Sequence, residues 1–204
     1  MEDLSIKAFC DLTASKEPVP GGGSISALCG SLSGALTQMV AGLTIGKKKY
    51  VEVSEEMEVL AEKAGELRER LLEDVSRDAE AFNVVMEAFR LPKASDDEKA
   101  IRSAAIQEGL KTASETPYEV AKSALEVEKL ATVVVAKGNS NALTDGLVAT
   151  MLARTAVLGA CLNVKINLDS IKDESYVEEM TIKVTELEKS ALTLESETLR
   201  EYSL

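Results

Sequence analysis

The feature that most constrains the fold is a long stretch without a charged side chain, residues 18–46. It predicts a helix that begins near Gly23 or Ser24 and ends near Gly46. A helix of that length can span a bilayer. Against a membrane span stand four glycines (30, 34, 42 and 46) and seven hydroxyl or amide side chains, at 24, 26, 31, 33, 37, 38 and 44. We therefore expect a buried helix in a soluble protein, with close backbone approach at Gly30-xxx-Gly34.

A second segment, residues 143–166, has the same character. Its charged residues are Asp145, Arg154 and Lys165. Helices that are apolar on every side have to be surrounded by other protein. A chain of 204 residues can hardly surround both, so we expect a homodimer in which two copies share these helices.

The remaining sequence also predicts helices, so the fold class is all-α: a single domain, residues 1–204, built as a multihelical bundle with buried central helices. Ser5 is the expected N-cap of the first helix, and Ser95 with Glu98 forms a capping box for the fourth. Pro117 is expected to end or kink that helix and start another, which closes at Gly138. The expected further helices are 5–15, 54–89, 95–116, 117–138 and 173–202.

Composition excludes several functional classes. The net charge of −12 disfavours a nucleic-acid partner, and the three separated cysteines predict neither a metal site nor a disulfide framework. The chain contains no histidine, which excludes a Ser-His triad and imidazole-based zinc chemistry. The N-terminal residues do not resemble a signal peptide, so we expect a cytoplasmic protein with no membrane association.

The glycine run at 21–23 does not match either familiar phosphate motif. A Walker loop needs a Lys-Ser/Thr pair after its last glycine, and none follows Gly23. A dinucleotide fingerprint needs Gly or Ala where Ser26 stands, and a preceding strand. The run therefore either presents backbone N–H groups to a ligand or allows close packing where a side chain would clash.

A carboxylate interrupts the apolar stripe of the third helix. The stripe steps by three or four residues, with Asp78 at a core position and Asp74 one turn earlier: Val53, Met57, Leu60, Ala64, Leu67, Leu71, Val75, Asp78, Phe82, Val85, Phe89. Desolvation and a neighbouring carboxylate would both raise the pKa of Asp78, as suits an acid/base catalyst. The alternative is a buried aspartate paired with a Lys or Arg.

Three polar groups outside that helix are candidates for binding. The stretch "GNSNALTDG", 138–146, begins a helix, with Asn141 or Thr144 as a possible N-cap and Asp145 near the helix dipole. The cluster "GKKKY", 46–50, either pairs with a helix C-terminus or receives an anionic ligand. Arg154 and Lys165 share one face of an apolar helix and must meet anions of the protein or of a ligand.

Four motifs in register resemble one known family. They are "PVPGGGSISALCGSLSGALTQMVAGLTIGKKKY" (18–50), "RDAEAFNVVMEAFRLPK" (77–93), "GNSNALTDG" and "LNVKINL" (162–168). Together they resemble the formiminotransferase-cyclodeaminase C-terminal domain family, which includes bacterial methenyltetrahydrofolate cyclohydrolases. Thr144 stands where Ser is expected in the family, and Cys29 where Ala or Val is usual.

The resemblance implies an intertwined all-α homodimer that acts on a tetrahydrofolate derivative as substrate, with no permanently bound cofactor and no metal. The "DAEAF" match implies that Asp78 is the acid/base residue. The implied substrate-binding residues are Gly21, Gly22, Gly23, Ser24, Lys47, Lys48, Phe82, Asn139, Asn141, Asp145 and Lys165. We expect Lys47–Lys49 or Lys165 to hold the folate carboxylates.

Two reactions fit such a site. A cyclohydrolase adds water to 5,10-methenyltetrahydrofolate and opens it to 10-formyltetrahydrofolate. A cyclodeaminase closes 5-formiminotetrahydrofolate and expels ammonia. The chain has no room for a formiminotransferase domain, so we favour the cyclohydrolase. A non-catalytic helical dimerisation module is the alternative of another class, although such a module has no need to bury the polar groups singled out above.

Overall fold

The computed structural model describes residues 1 and 3–202 and contains no strand within them. Six helices, α1 to α6, form an antiparallel bundle, and the short 3₁₀ helices Lys48–Val53 and Ser140–Ala142 lie in two of the connections. The all-α prediction is confirmed. The α-helices are α1 Ile6–Thr13, α2 Gly22–Thr44, α3 Ser54–Arg90, α4 Asp96–Lys137, α5 Leu143–Leu168 and α6 Glu174–Glu201.

The predicted helix starts are confirmed at two places and wrong at a third. The Ser5 hydroxyl accepts a hydrogen bond from the Ala8 amide, and Ser95 and Glu98 form the capping box of α4. Neither Asn141 nor Thr144 caps α5, which starts at Leu143 and has Ala142 at the N-cap, without a side-chain cap. The Asn139 side chain instead accepts from the Asn141 amide, and so caps the preceding 3₁₀ turn.

Pro117 does not end a helix, contrary to the prediction. Helix α4 runs through it from Asp96 to Lys137 and ends at Gly138. A proline has no N–H to donate to the carbonyl four residues earlier, here that of Ala113. The Asn167 side chain on α5 donates to that carbonyl at 2.8 Å. A partner from the neighbouring helix thus satisfies the acceptor that the proline leaves open, which helps α4 to continue.

Helices α2 and α5 lie side by side and antiparallel along their whole lengths. Near one end Asn163 lies beside Gly22, in the middle the Ser33 hydroxyl donates to the Ala149 carbonyl at 2.7 Å, and at the other end the Asn139 amide donates to Thr44. On its other side α2 packs against α3. The two helices approach so closely that a Cβ added at Gly34 would lie 3.0 Å from the Arg68 Cβ. The close approach predicted from Gly30-xxx-Gly34 is confirmed.

One chain covers only part of this central pair. Helix α2 leaves Leu32, Met39 and Leu43 exposed, and α5 leaves Val148, Leu162 and Ile166 exposed. The sequence predicted that one chain could hardly surround both helices, and these exposed side chains agree with that prediction. The segments Gly22–Thr44 and Ser140–Leu168 are long and apolar enough to cross a membrane, and half of the most apolar part of each is buried inside the bundle.

Candidate active site

A cavity of about 410 Å³ lies where α2 begins, between α3, α4 and α5. We call it the glycine cavity, because the Gly21–Gly23 run forms one wall. The opposite walls are mostly apolar. Its lining residues are Pro18, Val19, Gly21, Gly22, Gly23, Asp78, Ala81, Phe82, Val85, Met86, Phe89, Leu110, Ala113, Asn163, Ile166, Asn167 and Ser170. They include one ionisable side chain, Asp78, and no cation.

Asp78 lies directly against the first turn of α2. Its Oδ2 accepts a hydrogen bond from the Ser24 hydroxyl at 3.1 Å, and the Ser24 backbone N–H also bonds to the carboxylate. A Cβ on Gly23 would lie only 2.0 Å from Asp78 Oδ1, so residue 23 has to be glycine for the carboxylate to reach this place. Asp78 therefore supplies the side-chain cap that Gly21, at the N-cap of α2, cannot provide.

Burial raises the pKa of Asp78, and the Ser24 hydrogen bonds offset part of that rise. The desolvation predicted from the apolar stripe is confirmed as the cause, whereas repulsion from Asp74 is not among the causes. Within residues 1 and 3–202, no Lys or Arg forms an ion pair with Asp78. The alternative of a charge-paired aspartate therefore does not describe this residue.

That alternative describes Asp74 instead. Asp74 is only 1% exposed, lies outside the glycine cavity, and binds Arg77 at 2.5 Å. At the far end of the same stripe, Phe89 is 45% exposed rather than buried. It lines the glycine cavity together with Phe82 and Met86. The stripe of α3 therefore passes from the core into the wall of an open site.

Sequence reasoning missed two polar residues of the cavity, Asn163 and Asn167. Both belong to the "LNVKINL" motif, from which only Lys165 was selected. The available signal was their spacing, because two amides four residues apart on a helix share one face. They reach the cavity because α5 ends beside the start of α2.

The predicted lysines form a different site, at the other end of α2. A second cavity of about 360 Å³, the lysine cavity, is lined by Lys47, Lys48, Lys49, Tyr50, Asn139, Ser140 and Asn141. Hydrogen bonds between Tyr50 and Ser140 join its two loops. Bonds with Ser140 and Lys49 lower the pKa of the Tyr50 hydroxyl to about 8. The 23 residues of α2 separate the two cavities by about 33 Å at 1.5 Å per residue.

Four residues selected from the sequence lie in neither cavity. Lys165 binds both carboxylate oxygens of Glu188 on α6 at 2.7 Å. Arg154 binds Glu195 on the same helix at 2.9 Å, so both cations of α5 meet anions of the protein. Asp145 lies in the first turn of α5, as predicted. Ser24 also lies outside the glycine cavity, and it contributes by holding Asp78.

Comparisons with known proteins agree with the resemblance read from the motifs. A family model described as formiminotransferase-cyclodeaminase matches residues 5–186. A methenyltetrahydrofolate cyclohydrolase of Methylorubrum extorquens is 44% identical over 86% of this chain and 84% of that protein. The formimidoyltransferase-cyclodeaminase of Gallus gallus is 33% identical over 90% of this chain, which spans 34% of that longer protein.

A solved structure has the same fold. The formiminotetrahydrofolate cyclodeaminase of Thermotoga maritima superposes with a TM-score of 0.87 and is 32% identical to this chain. The match covers 98% of this chain and 96% of that one. The bundle and the placement of its helices are therefore shared with an experimentally determined relative.

Proposed function

The chain belongs to the formiminotransferase-cyclodeaminase family, and from that premise we propose that it is a methenyltetrahydrofolate cyclohydrolase. The observation that carries the proposal is a desolvated carboxyl without a cationic partner, Asp78, in an apolar cavity. The 44% identity to a cyclohydrolase of similar length supports this choice of reaction.

In this reaction Asp78 moves the proton. The substrate, 5,10-methenyltetrahydrofolate, carries a positive charge on the amidinium group between two nitrogens. Asp78 takes a proton from water as the water oxygen adds to the amidinium carbon, and then gives that proton to N5 as the C–N5 bond breaks. The remaining hydroxyl proton leaves to solvent, and the carbon becomes the formyl group on N10. No resident cofactor or metal is needed for these steps.

The surroundings of Asp78 suit both halves of this cycle. A carboxyl with an ordinary pKa of ~3.9 is a weak base at neutral pH, and desolvation moves its pKa towards neutrality. Asp78 is the only ionisable side chain of the described cavity lining. Its carboxylate is therefore the group of that lining that can pair with the cationic substrate. Phe82 and Phe89 offer faces against which a flat pterin ring stacks.

The competing reaction is the cyclodeaminase reaction on 5-formiminotetrahydrofolate, favoured by the name of the Thermotoga maritima relative. Both reactions pass through a tetrahedral carbon between two nitrogens, so one acid/base residue serves either. Purified protein should be assayed by absorbance with each substrate. Hydrolysis of the methenyl compound above the uncatalysed rate supports the proposal, whereas ammonia release from the formimino compound without such hydrolysis refutes it.

We further propose that the active form is a homodimer built on the open faces of α2 and α5. These faces are apolar and contiguous, because the two helices lie side by side, and Leu162 and Ile166 are about two-thirds exposed in one chain. A second copy that covers them would remove this apolar area from water. It would also give these helices the full burial that their composition favours.

In such a dimer, we propose that the two copies of α2 run antiparallel. A parallel arrangement would bring the two Lys47–Lys49 clusters together, whereas an antiparallel one brings each cluster towards the partner's glycine cavity. That cavity has no cation in its lining, yet folate carries carboxylates. Lys47 and Lys48 of the partner would then bind those carboxylates. Lys165 is less suited to this role, because Glu188 already holds it.

The proposal places the protein in the cytoplasm, without a membrane or nucleic-acid partner. All three cysteines are free, which agrees with a reducing compartment. The product carries its formyl group on a soluble folate, which also agrees with a cytoplasmic enzyme.

A further inference from the structure

Two asparagines of the glycine cavity are fixed in orientation by hydrogen bonds to backbone carbonyls. The Asn163 Nδ2 donates to the Gly159 carbonyl at 2.8 Å. The Asn167 Nδ2 donates to the carbonyls of Ala113 at 2.8 Å and Asn163 at 3.0 Å. Because a carbonyl only accepts, each amide nitrogen must face its carbonyl and each amide oxygen must point the other way.

After these bonds, the two asparagines have more free hydrogen-bond acceptors than free donors. Asn167 has used both of its N–H donors, and Asn163 has used one of two. In the part of the chain that the structure describes, neither Oδ1 atom receives a hydrogen bond. The cavity lining therefore offers two fixed amide acceptors and the Asp78 carboxylate, with one side-chain amide donor at Asn163.

The orientation of Asn167 depends on a feature of another helix. The Ala113 carbonyl is free to accept because Pro117 has no N–H to give it. An ordinary residue at 117 would compete for that acceptor. Pro117 therefore leaves the Ala113 carbonyl free to hold the Asn167 side chain in its orientation.

From this geometry we propose that Asn163 and Asn167 read the pyrimidine edge of the pterin, an inference that rests on the proposed folate function. That edge carries a 4-oxo acceptor, then the N3–H donor, then the 2-amino donor. Asn163 pairs with the 4-oxo group and N3–H, and Asn167 accepts from the 2-amino group. The order matches the cavity, because the 4-oxo group is next to the reacting N5 and Asn163 is the asparagine that lies against Gly22.

The spacing also agrees. Asn163 and Asn167 are four residues apart on α5, about 6 Å along the helix axis, so the two amides can contact neighbouring positions of one ring edge. Asp78 then lies beyond the 4-oxo end of this edge, on the side of N5, where the one-carbon unit reacts. Both asparagines are specificity-determining residues in this arrangement, and Asp78 alone carries the chemistry.

The test compares tetrahydrofolate with its 2-desamino analogue, measured by calorimetry on wild-type protein and on Asn167→Ala. Wild type should bind tetrahydrofolate at least ~10-fold more tightly than the analogue, because the analogue lacks the 2-amino donor and leaves the Asn167 acceptor unpaired. Asn167→Ala should lose that preference, because it weakens binding of the parent and leaves binding of the analogue unchanged. The control is Asn83→Ala, an exposed asparagine outside the cavity lining, which should keep the wild-type preference.

Each other outcome has one meaning. If wild type binds tetrahydrofolate and the 2-desamino analogue equally, the inference is wrong. This comparison needs only the wild-type protein, so it can be made even if Asn167→Ala does not fold. A variant that loses affinity for both ligands equally has lost only structure, and it too overturns the inference. If wild type binds neither ligand, the folate function itself is wrong.

Discussion

Asp78 is the residue on which the proposed chemistry depends, and Asp78→Asn tests it. The amide keeps the size and can still accept from Ser24, so the fold and the start of α2 should survive. General acid–base catalysis typically contributes ~10²- to 10⁴-fold, and kcat should fall by about that factor with a smaller change in KM. Stopped-flow or steady-state kinetics beside thermal unfolding measure both.

The matched control is Asp74→Asn, one turn earlier on the same helix. Asp74 lies outside the glycine cavity and binds Arg77, so this variant should keep kcat within a few-fold. A stable Asp78→Asn protein with near-normal kcat would remove Asp78 from the mechanism.

Glu128 gives a second test at the scale of single residues. This α4 side chain is fully buried, and among residues 1 and 3–202 neither of its oxygens has a hydrogen-bond partner. Burial, together with the nearby Glu195, raises its pKa to about 8 from 4.5. The folded protein therefore keeps the proton of Glu128 between those pH values, while the unfolded chain loses it. The free energy of unfolding should fall as pH rises through this window.

Glu128→Gln should remove that pH dependence. Near pH 4 the variant and wild type should be about equally stable, and near pH 8 the variant should be more stable by an amount on the order of a few kcal/mol. Urea unfolding at several pH values measures the difference. The exposed Glu62→Gln is the control and should leave the slope unchanged; a Glu128→Gln curve parallel to that of wild type would contradict the prediction.

At the scale of elements, the contact between α2 and α3 positions the catalytic carboxyl. Gly23→Ala would place a Cβ on top of Asp78 Oδ1, so the carboxylate must move away from Ser24. We expect kcat to fall by roughly 10²-fold, because the proton carrier is displaced. The fold should remain, since alanine favours helix over glycine by up to ~1 kcal/mol. Kinetics and circular dichroism on the purified variant test both expectations.

Gly109→Ala on α4 is the corresponding control. A Cβ there would meet Val85 at an ordinary 3.6 Å, so activity should be retained and stability should not fall. If Gly23→Ala were as active as Gly109→Ala, the close approach of Asp78 would have no catalytic role.

Local patterns predicted the elements of this fold better than their connections in space. The capping box at Ser95 and the apolar stripe of α3 depend on residues within one helix, so the sequence was sufficient. The carbonyl that Pro117 leaves without a partner in α4 is satisfied by Asn167 of another helix. The same long-range contact places Asn167 in the cavity, and for that reason neither feature could be predicted from local sequence. Lys47 and Asp78, which the resemblance assigned to one site, lie at opposite ends of α2.

At the scale of the whole molecule, the open faces of α2 and α5 predict a dimer. Leu162→Glu places a charge on that face, where Leu162 is 64% exposed in one chain. It should shift the protein towards monomer, because burying an unpaired carboxylate costs several kcal/mol. Light scattering at micromolar concentration measures the change. Val59→Glu, on α3 outside the face and equally exposed at 64%, should leave the mass unchanged.

The lysine cavity predicts an effect on substrate affinity. A double variant, Lys47→Ala with Lys48→Ala, should raise KM for the folate substrate roughly 3- to 10-fold and leave kcat nearly unchanged, because exposed charge pairs contribute modestly and act on binding alone. The charge-removing double variant Lys7→Ala with Lys16→Ala, in and just after α1, controls for net charge. An unchanged KM in the first variant would remove these lysines from the site.

Subunit mixing then decides whether the lysines act within one chain or across the dimer. Asp78→Asn protein lacks the proton carrier, and the Lys47/Lys48 double variant lacks the anion-binding cations. If each active site combines Asp78 of one chain with lysines of its partner, a mixed dimer has one site with both parts intact. Random re-association of equal amounts should then restore low-KM activity in up to about a quarter of all sites. If both parts come from the same chain, no mixed dimer contains an intact site, and mixing should restore no low-KM activity.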